Sequence, residues 1–295
     1  MGVCVKSILF LTHENLQKTA VSKAMFEDVA HVLKYESYKV FIFSAGEKKQ
    51  NYIKEDVSYY TFKRSSYEAV TISAFFSLLA SYFVFIRLLV RCEIFYFRSY
   101  PSMMMFGWLS WLLGKKNIFD TRGLFFDELY DSGKISNHKL KRIMVIIEKW
   151  LLKISHKIIT VTESQADHYH FLLPSILNKL VVVPNGAPVR KVDTSIFDSE
   201  RLELLYVGSL VKWHSPDLVQ NICLELKKRG VDLKLTVLTR DINKAKKCFL
   251  RLGKCVDIRE HDYRNYPIRF HYGFCMISGG VSKDVCFPVK FLEYI

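Results

Sequence analysis

Residues 202–238, LELLYVGSLVKWHSPDLVQNICLELKKRGVDLKLTVL, contain the pattern of a strand, a helix and a second strand in succession. The outer runs are short and rich in apolar and β-branched residues, which predicts strands. Ser215 can cap the middle segment, Pro216 suits its first turn, and Gly230 suits its end. A strand–helix–strand succession is typical of a parallel sheet that is covered by helices.

The same alternation extends over most of the chain. The strand-like runs are SILFLT, KVFIFS, VSYYTF, EIFYFR, NIFDTR, KIITVT, KLVVVP, LELLYVG, LKLTVL and CVDIRE. The periodicity lapses only in the polar stretch VRKVDTSIFDSER, residues 189–201, which is typical of a domain boundary. We therefore predict an α/β protein with two doubly wound, Rossmann-like domains, residues 1–190 and 191–295.

The charge of the chain indicates an acidic partner. Its 295 residues include 43 Lys and Arg against 29 Asp and Glu, a formal net charge of +14. Phosphorylated substrates, an anionic membrane face and nucleic acid would each fit such a charge. The basic residues are spread over many segments without an RGG tract, a zinc finger or a ribonucleoprotein aromatic signature, so we expect no nucleic-acid partner.

The seven cysteines are scattered and never form a C-x-x-C pair. This argues against a disulfide framework and against a zinc site, and it indicates a reducing, cytoplasmic compartment.

Two apolar segments raise the question of a membrane. Residues 69–90, AVTISAFFSLLASYFVFIRLLV, contain four serines and threonines and Arg87, which favours a buried or membrane-touching helix over a span. Residues 138–157, HKLKRIMVIIEKWLLKISHK, are either an ordinary surface helix or a basic helix that lies on anionic lipid. We expect peripheral attachment to the inner face of the cell membrane.

Several motifs, taken in order, resemble bacterial glycosyltransferases of the "group 1" type, which have the two-domain GT-B fold and use nucleotide sugars. They are FYFRSYPSMM, IFDTRGLFFDE, KIITVTES, VVVPNGAP, LLYVGSLVKWHSPDLV, YGFCMI and FPVKFLEY. The resemblance covers nearly the whole chain and implies a nucleotide-sugar donor and a saccharide or polyprenyl-linked acceptor. It also implies retention of anomeric configuration in surface-polysaccharide synthesis, such as capsule or lipopolysaccharide.

The resemblance assigns the donor to the second domain. Glu293 matches the glutamate that takes the ribose hydroxyls, and a carboxylate can accept two hydrogen bonds at once. Lys212 and Lys290 are candidates to neutralise the diphosphate, and Gly208 with Ser209 forms the turn that approaches it. The chain departs from the family at three positions: Ser209 and His214 stand for an arginine and a lysine, and Val285, beside Asp284, stands for a second glutamate. The alternatives without ligand binding are a tight turn at Gly208 that has only a structural role and a solvent-exposed ion pair between Lys290 and Glu293.

In the first domain, DTRG matches the D-x-R-G motif of the polysaccharide subgroup. Asp120 is the candidate to orient or deprotonate an acceptor hydroxyl, and Arg122 to hold a phosphate or a sugar acid. The alternative is an Asp–Arg pair that only pins a loop. The further candidates for the same wall are His13, Arg98, Asp127 and Glu128.

We therefore predict a hexosyltransferase-like enzyme that needs no cofactor and no metal. No D-x-D motif follows a strand of the first domain, and His168 and His170 are too close in sequence to share a helix face. The alternatives are a nucleotide-sugar epimerase on the same architecture and a non-catalytic, decayed nucleotide-sugar-binding protein at the membrane. The helix that begins at Pro288 has about two turns before Ile295, so the sequence also predicts a second domain that is incomplete, truncated at its C-terminus.

Overall fold

A computed structural model describes most of the chain. The described residues are 6–16, 20–46, 50–63, 72–133, 135–186, 200–211, 214–260, 270–277 and 279–287. The chain divides into two compact units, Met1–Pro184 and Asn185–Ile295, hereafter unit 1 and unit 2. The predicted boundary at residue 190 lies outside the described residues and stays a prediction.

Unit 1 alternates strands and helices. Its elements are β1 (Ser7–Asn15), α1 (Ala20–Tyr35), β2 (Lys39–Gly46), β3 (Gln50–Lys54), β4 (Val57–Lys63), α2 (Ile72–Arg91), β5 (Ile94–Arg98), α3 (Tyr100–Ser102), a π-helical turn (Met103–Gly107), α4 (Trp108–Leu112), β6 (Lys116–Asp120), α5 (Phe125–Asp131), α6 (His138–Ile154), β7 (Lys157–Thr160), α7 (Glu163–Leu172), a 3₁₀ turn (Pro174–Lys179) and β8 (Leu180–Val182).

The sheet of unit 1 has eight strands in the order β3-β4-β2-β1-β5-β6-β7-β8. All neighbours are parallel except β3, which pairs antiparallel with β4. The chain moves outward from β1 in one direction and from β5 in the other, so β1 and β5 flank the switch point of the topology. Loops diverge at such a point and leave room for a ligand beyond the carboxyl ends of the strands.

Both faces of this sheet are covered. Phe10 and Ile42 pack with Phe26 of α1 in one buried cluster. Phe106, from the π-helical turn, packs against Phe43 and Phe85, with ring centroids 5.7 and 4.6 Å apart. Burial on both sides explains why the central strands are continuous apolar runs instead of alternating ones.

The π-helical turn is fitted around a glycine. A Cβ at Gly107 would clash with Sδ of Met103. The carbonyl oxygen of Gly107 accepts hydrogen bonds from the Asn117 side-chain amide at 3.0 Å and from the Ser110 hydroxyl at 3.0 Å. The residues at both junctions have helical dihedral angles, so this turn joins α3 to α4 as one continuous helical segment.

Helix α2 covers the long apolar stretch of the sequence. Phe85, Leu88 and Leu89 are buried, whereas Phe83 and Val90 are exposed. Within the ranges that the structure describes, no helix has the length and apolar character needed to cross a bilayer.

Unit 2 is smaller. Its elements are β9 (Leu202–Val207), α8 (Pro216–Lys228), β10 (Leu233–Thr239), α9 (Ile242–Cys248), a 3₁₀ turn (Leu250–Cys255), β11 (Val256–Glu260), β12 (Tyr272–Phe274) and α10 (Val281–Asp284). Its four strands are parallel in the order β11-β10-β9-β12. The predicted α/β class with a parallel sheet in each half of the chain is confirmed.

Two local predictions can be compared with the helix ends. Gly230, with φ of 81°, follows the last turn of α8 as expected. Ser215 stands at the N-cap of α8 but its side chain makes no capping bond there, because its backbone is in the left-handed region, at φ 44° and ψ 52°.

The described cysteines are all thiols and are distributed unevenly. Cys92, in unit 1, is fully buried. Unit 2 contains the other five: Cys223, which is buried, and Cys248, Cys255, Cys275 and Cys286, which are partly exposed.

Candidate functional site

Three polar residues of neighbouring strands of unit 1 lie in one row near the carboxyl edge of the sheet. The parallel register pairs Thr12 of β1 with Arg98 of β5, and Arg98 with Asp120 of β6. Residues in register on parallel strands point to the same face of the sheet. Arg98 and Asp120, predicted separately from two motifs, are therefore neighbours at the carboxyl edge.

Arg98 is the buried cation of this row. Its side chain is 4% exposed, and it lies 3.6 Å from Oδ2 of Asp120 and 3.6 Å from Oε1 of Glu14. Its guanidinium also stacks 5.6 Å from the ring centroid of Phe26. A buried cation that loses a carboxylate partner is costly, so removing either anion would destabilise this edge of the sheet.

Asp120 is the buried anion of the row. Its Oδ2 accepts a hydrogen bond of 2.9 Å from the Tyr96 hydroxyl, while its Oδ1 has no hydrogen-bond partner in the described part of the chain. Burial raises the pKa of this carboxyl, and Arg122, Arg98 and the Tyr96 bond oppose that shift. A carboxylate with one unused oxygen and a raised pKa is suited to accept a proton or a hydroxyl group.

Arg122 lies in the loop that follows β6, residues 120–123, which we call the D-T-R-G loop. Its φ of 62° is rare for a residue with a side chain. Burial and the neighbouring charge of Arg98 lower the pKa of its guanidinium, and Asp120 raises it. Two arginines close enough to influence each other form a cationic edge that an anionic group would relieve.

A second unusual backbone conformation follows β5. Ser99 has φ 70° and ψ 164°, a region that glycine occupies almost alone. The Ser102 hydroxyl donates to the Ser99 carbonyl at 2.9 Å, and the Ser99 amide donates to the Asp120 carbonyl at 2.8 Å. The Ser99 hydroxyl lies 2.9 Å from Nδ1 of His13, which joins the ends of β5 and β1 across the switch point.

A buried network of uncharged hydrogen bonds holds the D-T-R-G loop from the opposite face. The Thr121 hydroxyl donates to the Ile159 carbonyl at 2.9 Å and accepts from the Gln165 amide at 3.0 Å. The Tyr169 hydroxyl donates to the Gly123 carbonyl at 3.2 Å and lies 2.6 Å from the Tyr100 hydroxyl.

Glu148 of α6 ends this network. A hydrogen bond joins its Oε1 to the Tyr100 hydroxyl. Glu148 is 2% exposed, and burial raises the pKa of its carboxyl to about 7.

Asp127 and Glu128 lie in the first turn of α5, just after the loop. Oε1 of Glu128 lies 3.4 Å from the position that a Cβ on Gly123 would take, so Glu128 is next to the D-T-R-G loop. Asp127 interacts with α6 and α7 instead, at 3.6 Å from Nζ of Lys141 and 3.9 Å from Nε2 of His168. Of the predicted residues, the structure thus brings together His13, Arg98, Asp120 and Arg122.

In unit 2, the residues after β9 form a tight turn. Gly208 has φ of 130°, and its amide donates to the Leu238 carbonyl at 2.8 Å. Nδ1 of His214 lies 2.8 Å from the Ser209 carbonyl oxygen and 3.2 Å from the Ser209 hydroxyl. His214 thus contacts both the backbone and the side chain of Ser209.

The other predicted donor residues are only partly described. Asp284 is exposed at the end of α10. Lys212, Lys290 and Glu293 lie outside the described residues, so their roles stay predictions. A search of the described ranges finds no group of three His, Cys, Asp or Glu residues placed to hold a metal ion.

Sequence reasoning missed several residues of this site. Tyr96 precedes Arg98 by two positions in FYFR, and side chains two positions apart on a strand point to the same face. This spacing was the signal in the sequence that could have identified Tyr96. Glu148 is the only acidic residue in the helix 138–157, and it is flanked by Ile147 and Leu151 of the apolar stripe. A lone acid at an apolar position of a helix indicates a buried polar contact.

Neither the protein-family models nor the curated proteins include a match to this chain. Solved structures do match. Sucrose-phosphate synthase from Thermosynechococcus elongatus is 11% identical with a TM-score of 0.61, over 87% of this chain and 71% of that chain. HepE from Anabaena, in complex with UDP and glucose, is 9% identical with a TM-score of 0.59, over 87% of this chain and 69% of that chain.

A putative UDP-N-acetylglucosamine 2-epimerase from Listeria monocytogenes also matches, at 9% identity and a TM-score of 0.57, over 88% of this chain and 70% of that chain. At such identities the likeness shows the fold alone. The fold is the one with two Rossmann-like domains that GT-B glycosyltransferases share.

Proposed function

We propose that this protein is a glycosyltransferase that moves a sugar from a nucleotide-sugar donor to a hydroxyl of a saccharide or lipid-linked saccharide. The observation that carries the proposal is the buried Asp120 with an unused carboxylate oxygen, beside Arg122 at the carboxyl edge of a GT-B-type fold. The resemblance of the surrounding D-T-R-G motif to the polysaccharide subgroup supports it.

In this reaction the acceptor oxygen forms a bond to the anomeric carbon of the donor sugar. The bond between that carbon and the diphosphate oxygen breaks, and the nucleoside diphosphate leaves with the bonding electrons. Asp120 accepts the proton of the acceptor hydroxyl, and Arg122 holds an anionic group of the acceptor. On the family resemblance alone we propose retention of configuration, which requires that the acceptor oxygen attack the face of the sugar from which the diphosphate leaves. We propose a role in surface-polysaccharide synthesis on the same ground.

Donor binding is assigned to unit 2. Glu293 would accept the ribose hydroxyls, while Lys212 and Lys290 would stabilise the charge of the leaving diphosphate, with Gly208, Ser209 and Asp284 around it. We propose that these cations take the place of a metal ion. Full activity in excess EDTA is the expected result, whereas activity that is lost in EDTA and restored by Mn²⁺ would contradict it.

The test of the function is transfer of radiolabelled sugar from a panel of nucleotide sugars to saccharide and polyprenyl-linked acceptors. The epimerase is the second candidate, because an enzyme of that description has the same type of fold. Nucleotide sugar that is converted without any acceptor would favour epimerisation. Nucleotide binding without turnover in either assay would favour a non-catalytic binding protein.

We also propose that the protein works at the cytoplasmic face of an anionic membrane. Helices α2 and α6 of unit 1 both contact the π-helical turn that joins α3 to α4. The exposed large apolar side chains of these elements are Phe83, Ile86, Val90, Met104, Trp108, Trp111, Leu112, Leu113, Leu140, Ile143, Ile146 and Trp150. We call this set the three-helix surface.

The charges around this surface favour lipid over a second copy of the chain. Residues 72–91 and 100–116 contain no Asp or Glu, and the single acid of 138–157, Glu148, is buried. Exposed tryptophans together with basic residues suit an anionic bilayer interface, whereas two such surfaces would repel each other.

Vesicle co-sedimentation tests this. We expect binding to vesicles that contain phosphatidylglycerol, weaker binding to phosphatidylcholine, and loss of binding in the double variant Trp108→Ala/Trp111→Ala. The matched control is Tyr35→Ala, an exposed aromatic on α1. Binding that ignores both lipid charge and salt would contradict the proposal.

A further inference from the structure

Glu148 is a buried acidic residue on a helix whose other charged residues are basic. It lies on the basic helix α6, yet it points into the interior and is 2% exposed. None of the ion pairs found among the described residues involves it. A buried carboxyl without a cationic partner is retained only where its hydrogen bonds are used.

Its hydrogen bonds lead to the D-T-R-G loop. Glu148 contacts the Tyr100 hydroxyl, Tyr100 contacts the Tyr169 hydroxyl at 2.6 Å, and Tyr169 contacts the Gly123 carbonyl at 3.2 Å. Both tyrosines are 0% exposed. Three contacts between oxygen atoms thus connect helix α6 to the loop that carries Asp120 and Arg122.

The number of hydrogen atoms available to these three contacts determines the protonation state of Glu148. Each of the three contacts needs one hydrogen, the two tyrosines supply one each, and the Gly123 carbonyl supplies none. Only a protonated Glu148 supplies the third. Glu148 then donates to Tyr100, Tyr100 donates to Tyr169, and Tyr169 donates to the Gly123 carbonyl, so each contact has one hydrogen.

Ionised Glu148 would break this chain. Tyr100 would then donate to the carboxylate, so Tyr169 would have one hydrogen for two acceptors, the Tyr100 oxygen and the Gly123 carbonyl. Gln165 does not help, because its amide already donates to Tyr169 and to Thr121.

We propose that Glu148 is a positioning residue that holds the D-T-R-G loop in place, and that it does so as the neutral acid. Deprotonation loosens the contact at Gly123 and with it the backbone that orients Asp120 and Arg122. The contacts themselves carry this inference, and its consequence for transfer rests on the proposed function.

The surroundings of Glu148 keep the neutral form accessible near physiological pH. Burial, with a smaller contribution from the charge of Asp127 on α5, raises the pKa of Glu148 to about 7; in the ionised form Tyr100 donates to the carboxylate, and this bond opposes the shift. Asp127 is itself paired with Lys141 and His168, on α6 and α7. Among the described residues of α3 and α7, the titratable groups that interact with Glu148 are Tyr100 and Tyr169, and burial raises the pKa values of both further from neutrality.

The test needs no substrate, so that its failure is separate from a failure of the proposed function. Hydrogen exchange followed by mass spectrometry measures the protection of peptides covering residues 119–126 at pH 6 and pH 8, corrected for intrinsic exchange. We expect protection to fall about fivefold between these pH values, the effect of roughly one hydrogen bond. Equal protection at both pH values in the wild-type protein would overturn the proposal.

Two variants separate positioning from general stability. Glu148→Gln keeps a neutral donor to Tyr100, so its loop protection should stay high and independent of pH. Tyr169→Phe removes the contact to Gly123, so protection should be low at both pH values. Glu36→Gln, at an exposed turn residue of unit 1, should behave as wild type.

The titration of the carboxyl itself provides a check without any variant. Carbon NMR of protein labelled at the glutamate carboxyl should show one group, absent in Glu148→Gln, that titrates near neutrality. A Glu148 signal that titrates below about pH 5, close to the usual range of glutamate, would overturn the inference. A pH dependence of exchange that persists in Glu148→Gln would overturn it as well.

Discussion

The D-T-R-G loop of unit 1 and the glycine turn of unit 2, residues 208–211, both follow a central parallel strand, yet they are built differently. The first carries buried charges on one face of the sheet and a hydrogen-bonded network on the other. The second is held by a backbone bond from Gly208 and by the contacts of His214 with Ser209.

This difference indicates which groups each turn contributes. Side chains that are fixed by their neighbours before a ligand arrives are suited to chemistry. A glycine turn brings backbone amides close to a ligand and suits a phosphate. Substitutions in unit 1 should therefore change turnover, while those in unit 2 should change affinity.

The largest expected effect is that of Asp120→Asn. Because the variant keeps the shape but accepts a proton poorly, transfer should fall on the order of 10²- to 10⁴-fold while nucleotide affinity is unchanged. Steady-state kinetics and calorimetry measure the two quantities. The control is Asp167→Asn, an exposed residue of α7, and a normal transfer rate would remove Asp120 from the site.

The next effect concerns stability and pH. The pKa of Glu148 is raised from 4.5 to about 7 in the folded protein, so its contribution to stability is complete below pH 4.5 and is lost as the pH rises through 7. Between pH 5 and pH 8, wild type should lose roughly 2 to 3 kcal/mol relative to Glu148→Gln. Denaturant unfolding of both proteins measures it, and parallel curves would contradict the expectation.

In unit 2, Glu293→Ala should weaken nucleotide binding by roughly ten- to hundredfold, since hydrogen bonds to a charged group are lost. The Asp120→Asn protein is the matched control for affinity. Unchanged affinity in Glu293→Ala would mean that the donor is bound elsewhere.

The smallest effect should be that of His214→Ala. Loss of its contacts with Ser209 would loosen the turn and weaken nucleotide affinity by about fivefold, the effect of roughly one hydrogen bond. Asn221→Ala, on the exposed side of α8, is the control. If His214→Ala lowered turnover while nucleotide affinity stayed unchanged, the expectation that unit 2 contributes to affinity and unit 1 to turnover would be contradicted.

The sequence predicted the central strands because burial on both faces produces the long apolar runs of β1, β2, β9 and β10. It also predicted residues at strand ends, because every parallel strand ends at the same edge. It missed β3, whose five residues are all exposed, so that no apolar pattern marks it.

The partners within the site could not be predicted in the same way. The contact between Arg98 and Asp120 depends on the order of β5 and β6 in the sheet, which is a property of the topology. The sequence T-x-x-Q at residues 162–165 is typical of a capping box, but only half of one is present: Thr162 accepts from the Gln165 amide, while the Gln165 side chain contacts Val161 and Thr121. Contacts of the Gln165 side chain with Val161 and Thr121 therefore replace the second bond of the cap.

The uneven distribution of thiols has a practical consequence for the study of the two units. Burial raises the pKa of Cys92 to about 12, so this thiol is not ionised at neutral pH and is shielded from reagents. The partly exposed thiols among the described residues all belong to unit 2. Among the described cysteines, alkylation or mild oxidation of the folded protein should therefore modify those of unit 2 before Cys92, which should react only once unit 1 unfolds.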